Sequence, residues 1–233
     1  MRLAVVQHLF RVTPEQDLDA LSGAVERAAA AGADAVLVPG IHAFRDGPLA
    51  DGSWRRIEDA APGKPVFAVG DDSRAADPSS PAEIALLGHT VFLRGDACVD
   101  PEVHAGLVSH AVDTLVLAPG SESELQAEAV LELGLALSTS LAPLVLIVEP
   151  DGAALGEAGH GGSAIMQLGD VRAEALAGDD LLLADLEFVA GPPSPRDALP
   201  EIPPVLAQRL HAHRARSSCD APGHAAGSHA AAW

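Results

Sequence analysis

A regular alternation of short apolar runs with longer amphipathic segments persists through residue 148 and constrains this chain's fold more than any other feature. Residues 2–7 form a β-type run, residues 14–31 place apolar side chains at helical spacing, and residues 35–38 are continuously apolar. An apolar run without polar alternation is typical of a strand buried on both faces, as in parallel sheets covered by helices. The chain therefore opens with a predicted β-α-β unit.

The same spacing rules assign most of the first 190 residues. Helices are predicted at 54–61, 101–111 and 122–141, and strands at 65–69, 83–94 (two runs broken at Gly88), 114–117 and 144–148. Between Gly161 and Glu187, three strand-like runs are separated by Gly169 and Gly178. Because glycines at this spacing are turn signals, these runs predict a β meander within a mixed sheet system.

Beyond Ala190 the composition changes. Six prolines fall between residues 192 and 204, and the end is rich in alanine, glycine and histidine. Because proline removes backbone donors, we predict a domain over 1–190 and a Pro/Ala/His-rich C-terminal tail over 191–233 that is partly disordered. The apolar side chains of Val205–Leu210 predict a short amphipathic helix that docks on the domain or on a second subunit.

Net charge, the length of apolar stretches and the number of cysteines limit the kinds of partner and the cellular location expected of this chain. The 233 residues carry a formal net charge of −19, which repels phosphate backbones and anionic headgroups, so nucleic-acid and membrane partners are disfavoured. The N-terminal apolar run is too short for a secretory signal, and no stretch is apolar for long enough to span a bilayer. With two cysteines and no disulfide framework, we expect a cytoplasmic protein.

Several segments, in order, resemble the carbon-nitrogen hydrolase (nitrilase) superfamily over roughly residues 1–188. They are Met1–Gln7, Ala31–Pro39, Leu87–Ala97, Pro101–Glu102, Asp113–Pro119, Leu144–Gly152 and the Gly161–Ile165 hairpin followed by Gly169. The resemblance implies an α/β fold, the nitrilase-like four-layer αββα sandwich, as a single domain that forms a homodimer. It also implies an active-site Cys, Glu and Lys that hydrolyse amides or nitriles through a thioester or thioimidate.

The sequence departs from that triad at each position. Gly40 stands where the family's catalytic Glu follows the strand, so the general base is missing there. Gly95 stands where the resemblance places the nucleophilic Cys. The only lysine, Lys64, precedes a strand, whereas the family's Lys lies on a later segment that is largely deleted between Gly70 and Ile84.

Cys98 is the alternative nucleophile, because a three-residue shift aligns it with the family's Cys-x-Asp pattern. The shift displaces Pro101–Glu102 and supplies neither Glu nor Lys. The flanking carboxylates Asp96 and Asp100 are expected to raise the thiol pKa, while a helix N-terminus at Pro101 would lower it. An inert turn or core cysteine is the competing interpretation.

Three other residues are expected at the pocket that the resemblance implies. His42 follows Gly40 by two positions and is either a ligand or base at the pocket mouth or a loop histidine. Arg94 and Asp96 flank Gly95, and because unpaired buried charges are costly, we expect a structural ion pair with each other or with neighbours.

The remaining chemistry-bearing residues have structural interpretations. Ser163 lacks a nucleophile elbow and is interpreted as a hairpin serine, and acidic residues around 122–128 as a solvated helix start. The scattered residues His211, His213, Cys219, His224 and His229 lack the paired spacing of a zinc site, so no metal is predicted. No glycine-rich phosphate loop occurs, so no cofactor is predicted either.

Two hypotheses follow from these residues. In the first, the chain keeps the nitrilase-like fold as a non-catalytic binding or assembly module for a small polar ligand or a protein partner. In the second, it is an active amidase that uses Cys98 or a relocated residue set.

Overall fold

The computed structural model describes residues 1–11, 13–40, 50–69, 82–84, 86–152, 159–175, 177–187 and 199–219. The strands are β1 (Arg2–Gln7), β2 (Ala35–Pro39), β3 (Val66–Val69), β4 (Ala82–Ile84), β5 (Gly88–Arg94), β6 (Thr114–Ala118), β7 (Leu144–Ile147), β8 (Ala164–Gln167), β9 (Asp170–Glu174) and β10 (Asp180–Asp185). The helices are α1 (Pro14–Ala30), α2 (Ala50–Asp59), α3 (Pro101–Leu107), α4 (Glu124–Ser140) and α5 (Pro204–Cys219), and a 3₁₀ turn covers Gly95–Val99.

The strands form two sheets. The first has the order β10-β1-β2-β3, with β1, β2 and β3 parallel and β10 antiparallel to β1. The second has the order β4-β5-β6-β7-β8-β9, in which β5, β6 and β7 are parallel and the outer pairings are antiparallel. The β-α-β unit predicted at the N-terminus is therefore present in the first sheet.

Local sequence signals begin and end the helices. Thr13 caps α1 by accepting the N–H of Gln16, and Pro14 occupies the first turn, where its missing N–H costs nothing. Ser123 caps α4 in the same way. Helix α3 ends at Leu107, four residues before the predicted end, because the chain turns back through Ala111, at φ 23°, to enter β6.

Three apolar layers hold the elements together. The side chains between α1, α2 and the first sheet form one cluster, and those between the two sheets form a second. A third lies between the second sheet and α3, α4 and α5. A Cβ on Gly134 of α4 would lie 3.0 Å from Ile147 Cδ1, so this glycine allows the helix to approach β7 closely. The predicted four-layer αββα sandwich is confirmed.

The predicted β meander is wrong in its third strand. β8 and β9 form a hairpin through Leu168 and Gly169, whose φ angles of 54° and 87° suit a tight turn. β10 instead joins the first sheet, pairing with β1 from Arg2↔Asp185 to Gln7↔Asp180. Leu182 and Ala184 of β10 are buried among the residues between the sheets, so crossing over adds apolar area to that layer.

Helix α5 occupies the position expected for a docking helix at Val205–Leu210 and extends beyond it. Leu206 and Leu210 are buried, and Leu206 belongs to the apolar cluster between the second sheet and its helices. Leu199 and Ile202 pack against the same cluster. Within the described part of the chain, none of the helices combines the length and the hydropathy needed to cross a bilayer.

Truncation tests the contribution of α5 to stability. Ending the chain after Arg216 should leave the melting temperature nearly unchanged, whereas ending it after Ala190 should lower it. Burial of Val205, Leu206 and Leu210 contributes on the order of 5 kcal/mol before ordering costs. Leu206→Ala in the full chain is the point control, with an expected loss of about 2–5 kcal/mol. Sedimentation tests the other predicted site of docking, a second subunit. Equal melting temperatures and equal sedimentation of the two truncations would contradict the docking role.

Candidate functional site

A cleft of about 400 Å³ lies where strands of both sheets end. β2 and β3 of the first sheet and β5, β6 and β7 of the second reach it with their C-terminal ends, which is where α/β folds place ligands. Its lining residues are Pro39, Gly40, Val69, Arg94, Gly95, Ala118, Pro119, Gly120, Glu122, Val148, Glu149, Pro150, Arg209 and His213.

Gly40 and Gly95 both line this cleft. The two positions that the resemblance assigned to Glu and Cys are therefore brought together across the two sheets. Gly95 has φ 50°, a left-handed conformation, and apart from its chain neighbours no heavy atom of the described residues lies within 4 Å of where a Cβ would stand. At these two positions the described part of the cleft therefore has space in place of a side chain that titrates or attacks.

Lys64 lies at the wrong end of the sheet to serve the cleft. Its Nζ lies 3.6 Å from Asp34 Oδ1, and these two residues precede β3 and β2 respectively. The cleft is at the opposite, C-terminal ends of the same strands. The only lysine of the chain is thus a partner for a surface carboxylate.

Glu149 is a buried carboxyl group in the cleft wall, directly after β7. Its residue is 1% exposed, and its Oε1 and Oε2 accept the backbone N–H groups of Ser121 and Gly120 at 2.5 and 3.1 Å. Burial raises the pKa of Glu149 from 4.5 to about 7, against the opposing effects of those N–H donors and of Arg209. Its pKa therefore lies near neutral pH.

Ser163 fixes the backbone of Glu149. Its Oγ accepts the Glu149 N–H at 3.0 Å and donates to the Glu149 carbonyl at 2.9 Å. The Ser163 N–H in turn donates to the side chain of Gln7 at 2.9 Å, which connects the second sheet to β1. Ser163 therefore has a structural role, in which it holds the backbone of the segment that carries Glu149.

Arg209 enters the cleft wall from α5. Its side chain is 5% exposed. Nη2 donates to the Pro119 carbonyl at 2.7 Å and Nη1 to Gln126 Oε1 at 3.4 Å. Nε lies 3.5 Å from Asp96 Oδ1, and neither of these two atoms has a hydrogen-bond partner among the described residues. The guanidinium is buried, charged and incompletely hydrogen-bonded.

Asp96 pairs with α5. Besides Arg209, it contacts His213, whose Nδ1 lies 3.0 Å from Asp96 Oδ2 and whose Nε2 lies 3.3 Å from Glu122 Oε1. Arg214 pairs with Asp100 at 2.6 Å. The structural ion pairing expected of Asp96 therefore involves neighbours, and these neighbours come from the C-terminal segment. Arg94 lines the cleft at the end of β5.

Cys98 lies in the apolar core and is absent from the cleft lining. It is 1% exposed and belongs to the cluster beneath α3 and α4. Burial is the largest cause of a strong rise in its thiol pKa, while the negative charges of Glu149 and Asp96 raise it less. Flanking carboxylates were the cause expected from the sequence, whereas desolvation dominates in the structure. The core-cysteine interpretation agrees with this environment.

Other residues singled out in the sequence lie elsewhere. His42 falls outside the described residues, as do His224 and His229 and the side chain of Cys219. Within the described ranges, no three His, Cys, Asp or Glu side chains lie close enough together to hold a metal ion. Glu122 lines the cleft and contacts His213, so it has a neighbour beyond the solvent expected for a helix start.

Sequence reasoning missed Glu149 and Arg209. Glu149 ends an apolar strand and is followed by Pro150, a signal that marks a strand end but not a buried acid. Arg209 lies in a segment whose composition is that of a tail. Only its position three residues after Leu206 and next to Leu210, two buried residues, places it on the docking side of α5.

No family model matches the chain, and no curated protein matches it. Solved structures do. A mutant of the Nesterenkonia AN1 amidase from the nitrilase superfamily superposes with a TM-score of 0.61 at 18% identity, covering 94% of this chain and 96% of that one. A mutant of the same amidase in complex with butyramide gives a TM-score of 0.60 at 17% identity, with the same coverage.

A third structure of that amidase, with an acrylamide adduct at its active-site cysteine, has a TM-score of 0.61 at 18% identity. It covers 80% of this chain and 93% of the amidase. At these identities the likeness establishes the fold. The chain has the architecture of a nitrilase-superfamily amidase over most of its length.

The raised pKa of Glu149 predicts a pH-dependent stability. A carboxyl group whose pKa is higher in the folded than in the unfolded chain binds more protons when folded, so the free energy of unfolding falls as pH rises from about 4.5 to about 7. The full loss is on the order of 3 kcal/mol. Denaturant unfolding at pH 5 and pH 8 should show a smaller decrease in Glu149→Gln than in the wild type.

His8 and His104 have pKa values lowered by burial and contribute a slope of opposite sign. Both histidines are present in the wild type and in Glu149→Gln, so the difference between the pH dependences of their unfolding free energies reports the contribution of Glu149 alone. An identical slope in the variant would show that this carboxyl is not desolvated.

Burial of Cys98 predicts slow alkylation in the folded protein. In a Cys219→Ser background, Cys98 is the single thiol. Each unit by which a thiol pKa rises above the working pH lowers the thiolate fraction about tenfold. Iodoacetamide should therefore label it far more slowly in buffer than in guanidinium, as followed by intact mass. Equal rates in the two conditions would place the thiol at the surface.

Proposed function

We propose that this chain is a nitrilase-superfamily protein that has lost carbon-nitrogen hydrolase activity and uses the cleft to bind a small polar ligand. The shared fold and the ordered sequence segments support the relationship. The single observation that carries the loss of activity is that Gly40 and Gly95 face the same cleft where a base and a nucleophile would stand.

The chemistry of the lining supports the same conclusion. Acyl transfer through a covalent intermediate needs a thiol, hydroxyl or amine that an adjacent base activates. Among the described residues, those that line the cleft include no Cys, Ser, Thr, Tyr or Lys. Cys98 is held in the core and Lys64 at the far end of the sheet.

A relocated hydrolytic site is the second candidate, and Glu149 is the observation that favours it. A carboxyl group with a pKa of about 7 is well matched to proton transfer at neutral pH. In this alternative Glu149 would activate water directly, without an acyl-enzyme. Because the described lining residues include no positioned nucleophile, this is the weaker of the two.

Purified protein should release no ammonia from aliphatic amides, nitriles or carbamoylated amino acids above a buffer blank. In another hydrolase, loss of the nucleophile or its base alone costs about 10⁶ in turnover, so residual activity should be undetectable. Ammonia release is measured for the wild type, Cys98→Ser and Glu149→Gln.

Each variant addresses one alternative. Turnover that disappears in Cys98→Ser would establish a thiol nucleophile, and turnover that disappears only in Glu149→Gln would establish the relocated water-activating site. Either result would overturn the non-catalytic proposal.

Two further features accompany this proposal. We propose a homodimer, since proteins of this superfamily commonly pair, and a cytoplasmic location, since two cysteines provide no disulfide framework. The net charge of −19 supports partners other than nucleic acid and anionic membranes.

A further inference from the structure

We propose that the ligand of the cleft is a small monocarboxylate that pairs with Arg209, and that its binding is coupled to the uptake of one proton by Glu149. The proton comes from solvent, and the protonated Glu149 then donates a hydrogen bond to the ligand's carboxylate. This inference rests on the proposed binding function and names the chemistry of its ligand.

Arg209 supplies the positive charge. Its side chain is buried, and its two hydrogen bonds, to Pro119 and Gln126, use two of the five N–H donors of a guanidinium. Nε lies 3.5 Å from Asp96 Oδ1 without a hydrogen bond between them, so Asp96 is a counterion on that side of the guanidinium. Arg209 also lines the cleft, where an oxygen anion would accept from the Nη donors that Pro119 and Gln126 leave over, and a planar guanidinium matches a carboxylate particularly well.

Glu149 makes the site sensitive to the ligand's charge. Arg209 is a charged group that lowers the pKa of Glu149, so the carboxylate of Glu149 and the guanidinium stabilise each other. A ligand anion beside Arg209 repels ionised Glu149, because both residues line the same cleft. Since its pKa is already about 7, taking up a proton is inexpensive near neutral pH, and it converts a repulsive neighbour into a donor.

The surroundings favour a monoanion over a dianion or a neutral amide. Glu122 lines the cleft and Asp96 lies beside Arg209, so a dianionic phosphate would meet more negative charge than a carboxylate. A neutral amide would leave the charge of the buried guanidinium without a new counterion. The volume of about 400 Å³ lies at the lower end for ligand pockets, which suits a metabolite of a few carbon atoms.

Several charged or titratable groups lie on the elements around the cleft that Glu149 lines. Arg209 of α5 and Cys98 of the 3₁₀ turn interact electrostatically with Glu149. The others are His213 of α5, Arg94 at the end of β5 and Glu122 before α4, which line the same cleft, and Asp96 of the 3₁₀ turn, which pairs with Arg209 and His213. Of these, His213 needs its own control, because histidines titrate near neutral pH. It contacts both Asp96 and Glu122, so its protonation also changes the charge at the cleft.

Matched ligands separate charge from shape. Propionate and butyrate are titrated calorimetrically into the full-length protein between pH 5.5 and pH 8.5, alongside propionamide and butyramide, which have nearly the same shape without the charge. Each titration is repeated in two buffers of different ionisation enthalpy, which yields the number of protons taken up. Ammonia is assayed in the amide titrations, so that turnover, which would overturn the proposed function, is recorded separately from binding.

The carboxylates should bind at least tenfold more tightly than their amides at pH 6. Their affinity should fall about tenfold per pH unit above about 7, with proton uptake rising towards one per ligand. Glu149→Gln should remove both the pH dependence and the proton uptake while retaining binding. His213→Gln should retain both, and Arg209→Gln should abolish carboxylate binding.

Melting temperatures show whether the variants fold. If Arg209→Gln does not fold, Arg209→Lys, which keeps the charge but not the planar guanidinium, replaces it in the binding measurement. The inference is overturned if the amides bind as tightly as the carboxylates or if neither class binds. It is also overturned if carboxylate affinity is independent of pH, or if the pH dependence follows His213 instead of Glu149. Phosphate binding more tightly than propionate would assign the cleft to a different anion and contradict the proposal equally.

Discussion

The face-to-face packing of the two sheets is the constraint on which the rest of this structure depends. Leu3, Val5 and Leu37 of the first sheet meet Leu144 and Leu146 of the second in one buried cluster. Because each sheet is also covered by helices on its other face, its central strands are apolar on both sides. The packing brings the C-terminal ends of β2, β3, β5, β6 and β7 to one edge, and the cleft exists because those ends meet there.

Helix α5 adds ionisable side chains to the cleft at that edge. Leu206 anchors it in the core, and the same helix then delivers Arg209 and His213 to the cleft. Asp96 receives both of these side chains, which ties the turn after β5 to the C-terminal segment. Two of the ionisable side chains that line the cleft therefore come from a segment far from the central strands in sequence, so the properties of the site depend on the docking of α5.

Much of the fold follows from the sequence because its signals are local. Continuous apolar runs, helical spacing and cap residues such as Thr13 and Ser123 place most elements within a few residues of their bounds. The partner of β10 could not be predicted in this way, since strand pairing is set by distant packing, and the turn glycine Gly178 indicates only where a strand ends. The shortened α3 has a similar cause, because the entry to β6 ends the helix before its pattern does.

The candidate site was accessible to sequence reasoning only where motif order guided it. Gly40 and Gly95 were located from flanking segments, and the structure brings both to one cleft. Glu149 and Arg209 carry no motif, and their importance comes from burial, which no local pattern reports. For a carboxyl group, burial raises the pKa, so the same packing that cannot be read from the sequence also brings the pKa of Glu149 to about 7, against the lowering effect of Arg209.

A cleft with glycine at Gly40 and Gly95 can still hold a polar ligand, and its buried charged groups bear on that question. Buried ionisable groups are costly, and a chain under no constraint would be expected to replace Glu149 and Arg209 by apolar side chains, which are often neutral or stabilising at such positions. Instead Glu149 is held by two backbone N–H donors and by Ser163, while Nε of Arg209 lies beside Asp96 without a hydrogen bond among the described residues. Desolvation of both groups costs stability at neutral pH, and an anion bound beside Arg209, as we propose, would recover part of that cost.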